Sequence, residues 1–341
     1  MLATLSNQFR TFAKNECENS SPLYEHLANR IADDEELLLI ASNGAYGQPI
    51  PNLFLASVHY LLMANKDDEL AFFYPSLTTT LKSIDDVYPF FKKFILSHIN
   101  EIKALLQERL VQTNEIRRCA YLYPMMTEIY QKHRMPLAFI EIGASAGLQL
   151  AMEQYNYCYN QALSDANSHS ELVIASENIG DALPSSISQP FIVSQRIGID
   201  LNPLDITNET DVAWLQALIW PEHHDRRTLL NKAIPILKQL DIQLIKGDAI
   251  ERLTDISRQI DQNTMLIVYH THVANQIPLK LRHTLIDRLK EISLERPLYH
   301  CYNNLFDLQL HQDFLHEGKI KSIRTIDQPD GHGRWFKWAN E

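Results

Sequence analysis

The chain has no excess of positive charge. It carries 31 Lys and Arg against 42 Asp and Glu, a formal charge of −11, with a pI near 5.7. Nonspecific binding to nucleic acid or to anionic membranes relies on clustered Lys and Arg, so neither partner is expected. Long apolar runs are missing too. No stretch reaches the roughly 18 apolar residues that a bilayer-spanning helix needs. The opening MLATLSNQFRTFAKNE has no apolar segment behind a basic one, so no secretory signal is expected, and the chain reads as cytoplasmic. Cysteine is scarce. Cys17, Cys119, Cys158 and Cys301 lie far apart without a C-x-x-C pair, which signals neither a zinc knuckle nor a redox couple. They are expected as buried thiols. There is no internal repeat and no low-complexity tract.

What is present is the composition of a globular protein, 45% apolar and 21% charged. A chain of 341 residues predicts two domains. Residues 1–131 read as an all-helical domain. Ser21 with Pro22 is an N-cap followed by a first-turn proline, residues 34–41 continue in helix, and the glycine- and proline-rich 43–51 is a break. The segment 52–63 (NLFLASVHYLLM) is apolar nearly all round and reads as a buried helix. Further helices are expected within 84–110, and Thr113 is expected to cap one running to Gln131.

From residue 132 to 341 the pattern is α/β. Strands are expected at 137–142, 196–200, 242–246, 264–270 and 297–302, with helices at about 146–155, 208–219, 224–239, 248–260 and 278–293. Strands alternating with helices imply a parallel sheet with right-handed crossovers. Period-two segments at 306–311, 318–326 and 333–338 predict antiparallel C-terminal strands closing the sheet edge. The forty residues before the second strand are too many for a simple loop. They read as an inserted hairpin at about 155–195 that bears Tyr155, Tyr157 and Tyr159, and either shapes substrate specificity or is purely structural.

The most informative stretch is LAFIEIGASAGLQL at 137–150. A buried strand, a small-residue turn and a helix start are how open α/β sheets hold nucleotide-type ligands. A dinucleotide fingerprint needs G-x-G-x-x-G/A; Gly143, Ser145 and Leu148 occupy those places, so it fails. What remains resembles the first motif of class I S-adenosylmethionine-dependent methyltransferases, with Glu141 two residues before Gly143, then Ser145 where a glycine is usual, then Gly147. The alternative is a close-packed turn without a ligand.

Three further strand ends carry polar groups. Asp200 in RIGIDLNP is placed to accept from a ribose diol, or is a turn aspartate. Asp248 in IKGDAIERL would, by the resemblance, meet the adenine amino group; a capping box with Glu251 also explains it. The fourth strand ends in VYHTHVANQIP. There His270 and His272 are candidate bases for deprotonating an acceptor, His270 the first choice, or are satisfied structural histidines. The two could instead ligate a metal together with His332, although no carboxylate or cysteine completes a known spacing. Gln112 to Arg118 is a polar cluster in which Asn114 is a cofactor-binding candidate and Arg118 could pair with a cofactor carboxylate, or its arginines are solvated charge on a helix.

SSPLYEHLANRIADD, QPIPNLFLASVHYLLM, VQTNEIRR, LAFIEIGASAGLQL, RIGIDLNPLDITNETDVAWLQALIWPE and GHGRWFKW, in this order, resemble the bacterial family termed domain of unknown function 2332. The resemblance implies a helical N-terminal region and a Rossmann-like methyltransferase domain. It supplies no substrate. No N/D-P-P-Y signature follows the fourth strand, which argues against methylation of DNA amino groups. The expected protein binds S-adenosylmethionine and methylates a small molecule. Glu141 would orient the cofactor's amino group, the Gly143–Gly147 backbone would touch it, and Tyr46 and Tyr74 of the helical region would help cover the site. A noncatalytic scaffold that binds a nucleotide or a partner protein, and a metal-dependent hydrolase, are the rival readings.

Overall fold

The computed structural model describes residues 2–112 and 114–340. Helices α1 (Leu2–Phe12), α2 (Pro22–Ala32), α3 (Glu35–Ala41), α4 (Ile50–Ala64), α5 (Val87–Ser97), α6 (Ile99–Glu108) and α7 (Cys119–His133) come first. Next are β1 (Leu137–Ile142), β2 (Asn156–Tyr159), β3 (Ala162–Leu163), β4 (Val173–Asn178), β5 (Val193–Asp200), α8 (Glu209–Ala217) and α9 (His224–Leu237). The chain ends with β6 (Gln243–Lys246), α10 (Ala249–Gln259), β7 (Met265–His270), α11 (Leu279–Glu295), β8 (Leu298–Asn303), β9 (Leu310–His316), β10 (Lys319–Ile326) and β11 (Trp335–Phe336). Two compact units result: residues 1–113 with 208–228, and residues 114–207 with 229–341. The division thus falls before α7 rather than at residue 131, and the segment holding α8 groups with the N-terminal helices.

The helical unit shows why 208–228 belongs to it. Trp214 is buried in it and donates Nε1–H to the Leu110 carbonyl at 2.9 Å, and Arg109 pairs with Asp211 at 2.7 Å. Glu222 accepts from Leu23 N (2.9 Å) and Ser21 Oγ (2.6 Å), so a carboxylate satisfies a free amide and the capping hydroxyl at the start of α2. Ser21 caps α2 through Tyr24 N, with Pro22 in the first turn, as the sequence predicts. Most of helix α4 is buried, also as expected. Tyr74 belongs to this core, packed on Tyr24 and His59, whereas Tyr46 is exposed.

In the α/β unit one sheet has the order β10-β9-β8-β7-β1-β5-β6. The five strands from β8 to β6 are parallel; β9 and β10 are antiparallel additions at the β8 side. Every residue of β1, β7 and β8 is buried, as continuous apolar runs in a parallel sheet demand. One face packs Ala138, Ile140, Ile197, Leu266 and Val268 against Leu253 and Ile256 of α10 and Leu285, Leu289 and Ile292 of α11. Alternate residues face the other way: Phe139 meets Tyr269 edge-on, and His133 of α7 meets Tyr299. Among the described residues no helix is long and apolar enough to cross a membrane.

Several local expectations change. Thr113 lies outside the described residues, and the helix expected from it begins at Cys119 after a 3₁₀ turn, Ile116–Arg118. The helix expected at 146–155 is a kinked 3₁₀ segment, Leu148–Gln154, broken at Ala151. The reason is local. Tyr155 and Tyr157 donate their hydroxyls to the carbonyls of Leu148 and Met152, each at 2.6 Å, engaging acceptors that a helix would use. The insertion contains the β2–β3 hairpin, but β2 and β4 run parallel and β11 adds parallel to β4, forming a second sheet, β11-β4-β2-β3. The 333–338 segment therefore does not close the main sheet. Tyr155, Tyr157 and Tyr159 are buried with hydroxyls bound to backbone carbonyls, a structural role. Cys17, Cys119 and Cys301 are buried thiols, and Cys158 is partly exposed.

Candidate functional site

In chain order the parallel strands β1, β5 and β6 build the sheet in one direction, and β7 and β8 restart on the other side of β1. The crevice at the carboxyl ends of β1 and β7 is thus the switch point where open α/β sheets bind ligands. The turn after β1 alternates in handedness: Gly143, Ser145 and Gly147 have φ of 70°, 49° and 74°. The glycines make two of these conformations inexpensive. Three of its amides are engaged, by β5, by the Asp200 side chain and within the turn. Gly143 N donates to Ile199 O (2.8 Å), Gly147 N to Ala144 O (2.7 Å), and Ser145 N to Asp200 Oδ2 (2.8 Å). Asp200 Oδ1 also accepts from Asn202 N. Gly198 lets the turn settle on β5: a Cβ there would lie 2.6 Å from the Ala144 methyl. Across the turn stands Val273, whose methyls would be 2.5 and 2.8 Å from a Cβ on Gly143.

Glu141 lies beneath this turn, 4% exposed, and accepts a long 3.4 Å bond from Tyr269 Oη. Burial pushes its carboxyl well above the usual range, against which the phenol bond and Arg118 act; Asp200 adds to the rise. Two more acceptors border the turn. Asn114 donates Nδ2–H to Ala144 O at 2.7 Å, which leaves its buried Oδ1 without a partner, and Ser145 Oγ is likewise buried and unpartnered. Arg118, 6% exposed, donates to Gly331 O (2.9 Å) and Thr271 O (3.4 Å), tying the 330–333 loop to the end of β7. Asp248 is the N-cap of α10, accepting from Ile250 N at 2.8 Å.

The chain matches, over residues 6–338, the family described as "Uncharacterized protein conserved in bacteria (DUF2332)". It belongs to that family. No curated protein matches the chain.

Within this family member the two histidines have different surroundings. His270 is fully buried, its Nε2 3.2 Å from His300 Nε2 and its ring near that of Tyr302. It shares the sheet face of Val268, opposite to Tyr269, which contacts Glu141. Burial lowers its pKa to about 3. This placement removes the first-choice base from the crevice. His272 has left the strand at φ 58°. Its backbone N–H donates to Asn303 Oδ1 (2.7 Å), and its Nδ1 lies 3.0 Å from Asn304 Nδ2. Burial, with Arg118 and His332 nearby, lowers its pKa to about 3; Asp330 opposes this. The proposed metal triad does not form. His270 and His272 no longer share a face, and among the described residues no group of three or more His, Cys, Asp or Glu is placed to hold a metal ion.

Sequence reasoning missed Asn303, Asn304, Gln149 and Val273. Gln149 bonds Thr271 Oγ1 at 3.0 Å, tying the 3₁₀ segment to the end of β7. The Asn303–Asn304 pair directly after a strand was the available signal.

Proposed function

We propose that the α/β unit binds S-adenosylmethionine at the carboxyl ends of β1 and β7 and is a methyltransferase for a small molecule, acting in the cytoplasm. The observation that carries this reading is the buried Glu141 carboxyl at the switch point, whose hydrogen bond is one long contact to a phenol. A buried carboxyl with so little compensation suits a cationic ligand. The orphaned Asn114 Oδ1 and Ser145 Oγ fit the same demand. Asp200, β5 and the turn itself take up the Gly143, Ser145 and Gly147 amides, which then offer little to a phosphate, and a nucleoside sulfonium carries none.

Glu141 and Asn114 would hold the ammonium group and Arg118 the carboxylate. Asp200 would hold the ribose, because a carboxylate accepts more than two bonds. Asp248 would meet the adenine beside its capping role. Bound there, the cofactor supplies a methyl group on a positively charged sulfur. The protein's part is to orient the two reactants and exclude water.

One observation favours the rival noncatalytic scaffold. Val273 fills the space that Gly143 leaves open, so that glycine serves packing and not a ligand. Calorimetric titration with S-adenosylmethionine and S-adenosylhomocysteine decides between them. Saturable heat is expected from both, with affinity about tenfold lower or worse in Glu141→Ala, the scale of one buried charge-assisted hydrogen bond. Absence of heat at high protein concentration, or a variant binding like wild type, overturns the reading.

A further inference from the structure

We propose that the carboxyl ends of β7 and β8 form an oxyanion subsite, in which His272 Nε2–H and the Asn303 amide N–H bind a carboxylate of the methyl acceptor. That the bound molecule is a methyl acceptor rests on the function proposed above; the subsite itself does not.

The argument starts with which atoms can donate. Asn303 is 1% exposed, and its Oδ1 accepts from the His272 backbone N–H at 2.7 Å. A backbone N–H only donates, so this contact fixes the orientation of the carboxamide. Asn303 Nδ2 is then a buried donor, and it has no partner. His272 is oriented by its other neighbour. Asn304 Nδ2 lies 3.0 Å from His272 Nδ1 and donates to it. A neutral imidazole that accepts at Nδ1 carries its hydrogen on Nε2. His272 Nε2 is buried and also without a partner.

Two buried donors without acceptors, joined through one hydrogen bond, call for a ligand that supplies oxygen. The neighbouring charge agrees: the Arg118 guanidinium lies near enough to His272 to disfavour a positive imidazole there. Of the two acids on that side, Asp330 is held by Arg334 and by the His332 amide, and Glu115 lies 3.6 Å from His332 Nδ1. The crevice is therefore divided. Its β1 side presents acceptors, suited to a cation, and its β7–β8 side presents donors, suited to a carboxylate. His272 is consequently a neutral donor and not a proton acceptor, and Asn304 is a positioning residue that sets its tautomer.

The test uses the ¹⁵N-labelled chain of 341 residues at neutral pH. Long-range ¹H–¹⁵N correlations report the His272 tautomer, its signals identified by their loss in His272→Phe. The expected result is hydrogen on Nε2. Sodium acetate is then titrated as the probe. Saturable shifts are expected at His272 Nε2–H and at the Asn303 side-chain amide. In His272→Phe the acetate concentration for half the Asn303 shift should rise about tenfold, the equivalent of one hydrogen bond to a charged group. His272→Gln keeps a side-chain N–H and should stay near wild type. Hydrogen on Nδ1, shifts that fail to saturate, or equal acetate responses in wild type and His272→Phe would each overturn the subsite. None of these outcomes bears on the calorimetry with S-adenosylmethionine, so either proposal can fail alone.

Discussion

Substituting Gly143 by Ala tests whether the turn after β1 is closed by Val273. A Cβ at this position would lie 2.5 and 2.8 Å from the two Val273 methyls and 3.2 Å from its Cβ. Ordinary carbon contacts sit near 3.5–4.0 Å, and a β-branched side chain has little freedom to swing away. Overpacking of this kind costs about 1–3 kcal/mol. The φ of 70° adds a second penalty for any residue with a Cβ, about 1–2 kcal/mol. The single variant is expected to lose roughly 2–5 kcal/mol. Val273→Ala removes the two methyls, so in the double variant the steric part vanishes and the backbone part remains. The cycle should give a favourable coupling of about 1–3 kcal/mol. Native-state hydrogen exchange on the β1 amides is the suitable assay, since it reads opening within the α/β unit without assuming that both units unfold together. Gly143→Ala within 0.5 kcal/mol of wild type, a scale of about the usual surface substitution, would refute the steric argument. So would a cycle without coupling, because the cost would then be backbone strain alone.

Two other predictions concern buried and capping carboxyls. Burial raises the Glu141 pKa, so its neutral form stabilises the fold. That contribution is complete below the unfolded pKa of about 4.3 and is lost as pH rises through the folded value. Glu141→Gln should therefore gain on wild type above about pH 5, by at most about 1.4 kcal/mol per pH unit. Urea unfolding across a pH series measures this, and identical pH slopes for the two proteins would contradict it. Asp248→Ala should destabilise α10 by about 1 kcal/mol through loss of its N-cap, read by hydrogen exchange, while Asp248→Ser keeps the cap. If Asp248 also meets adenine, Asp248→Ser lowers affinity for S-adenosylmethionine in calorimetry despite intact stability.

The parallel strands were legible because each central strand is mostly apolar and bounded by turn residues. β1 falls at its expected 137–142, and β7 and β8 lie within a residue of expectation. The grouping of α8 with the N-terminal helices was not legible. It depends on Trp214 reaching Leu110 and on Glu222 reaching α2, pairings more than a hundred residues apart in sequence. The missing helix after the turn has a local cause. LQLAMEQ is compatible with helix, but tyrosine hydroxyls from the following residues bind two of its carbonyls. Propensity alone cannot weigh that competition.

The histidines show where pattern reasoning stops. Placing His270 and His272 on one face assumes that the strand continues through both. The ladder with β8 ends at His270, paired with Tyr302. Two residues later the backbone has turned to φ 58°, held by Asn303 from the end of the neighbouring strand. Period-two logic holds only while ladder hydrogen bonds enforce the pleat. Ligand-binding residues of open α/β sheets lie just past the carboxyl ends of their strands, where that enforcement has ceased. Strand periodicity can therefore identify the rim of such a site, but which rim side chain enters the crevice is set by tertiary partners such as the two asparagines after β8. It follows that exchanging Asn303 would disturb His272 more than any change within β7 that preserves the ladder.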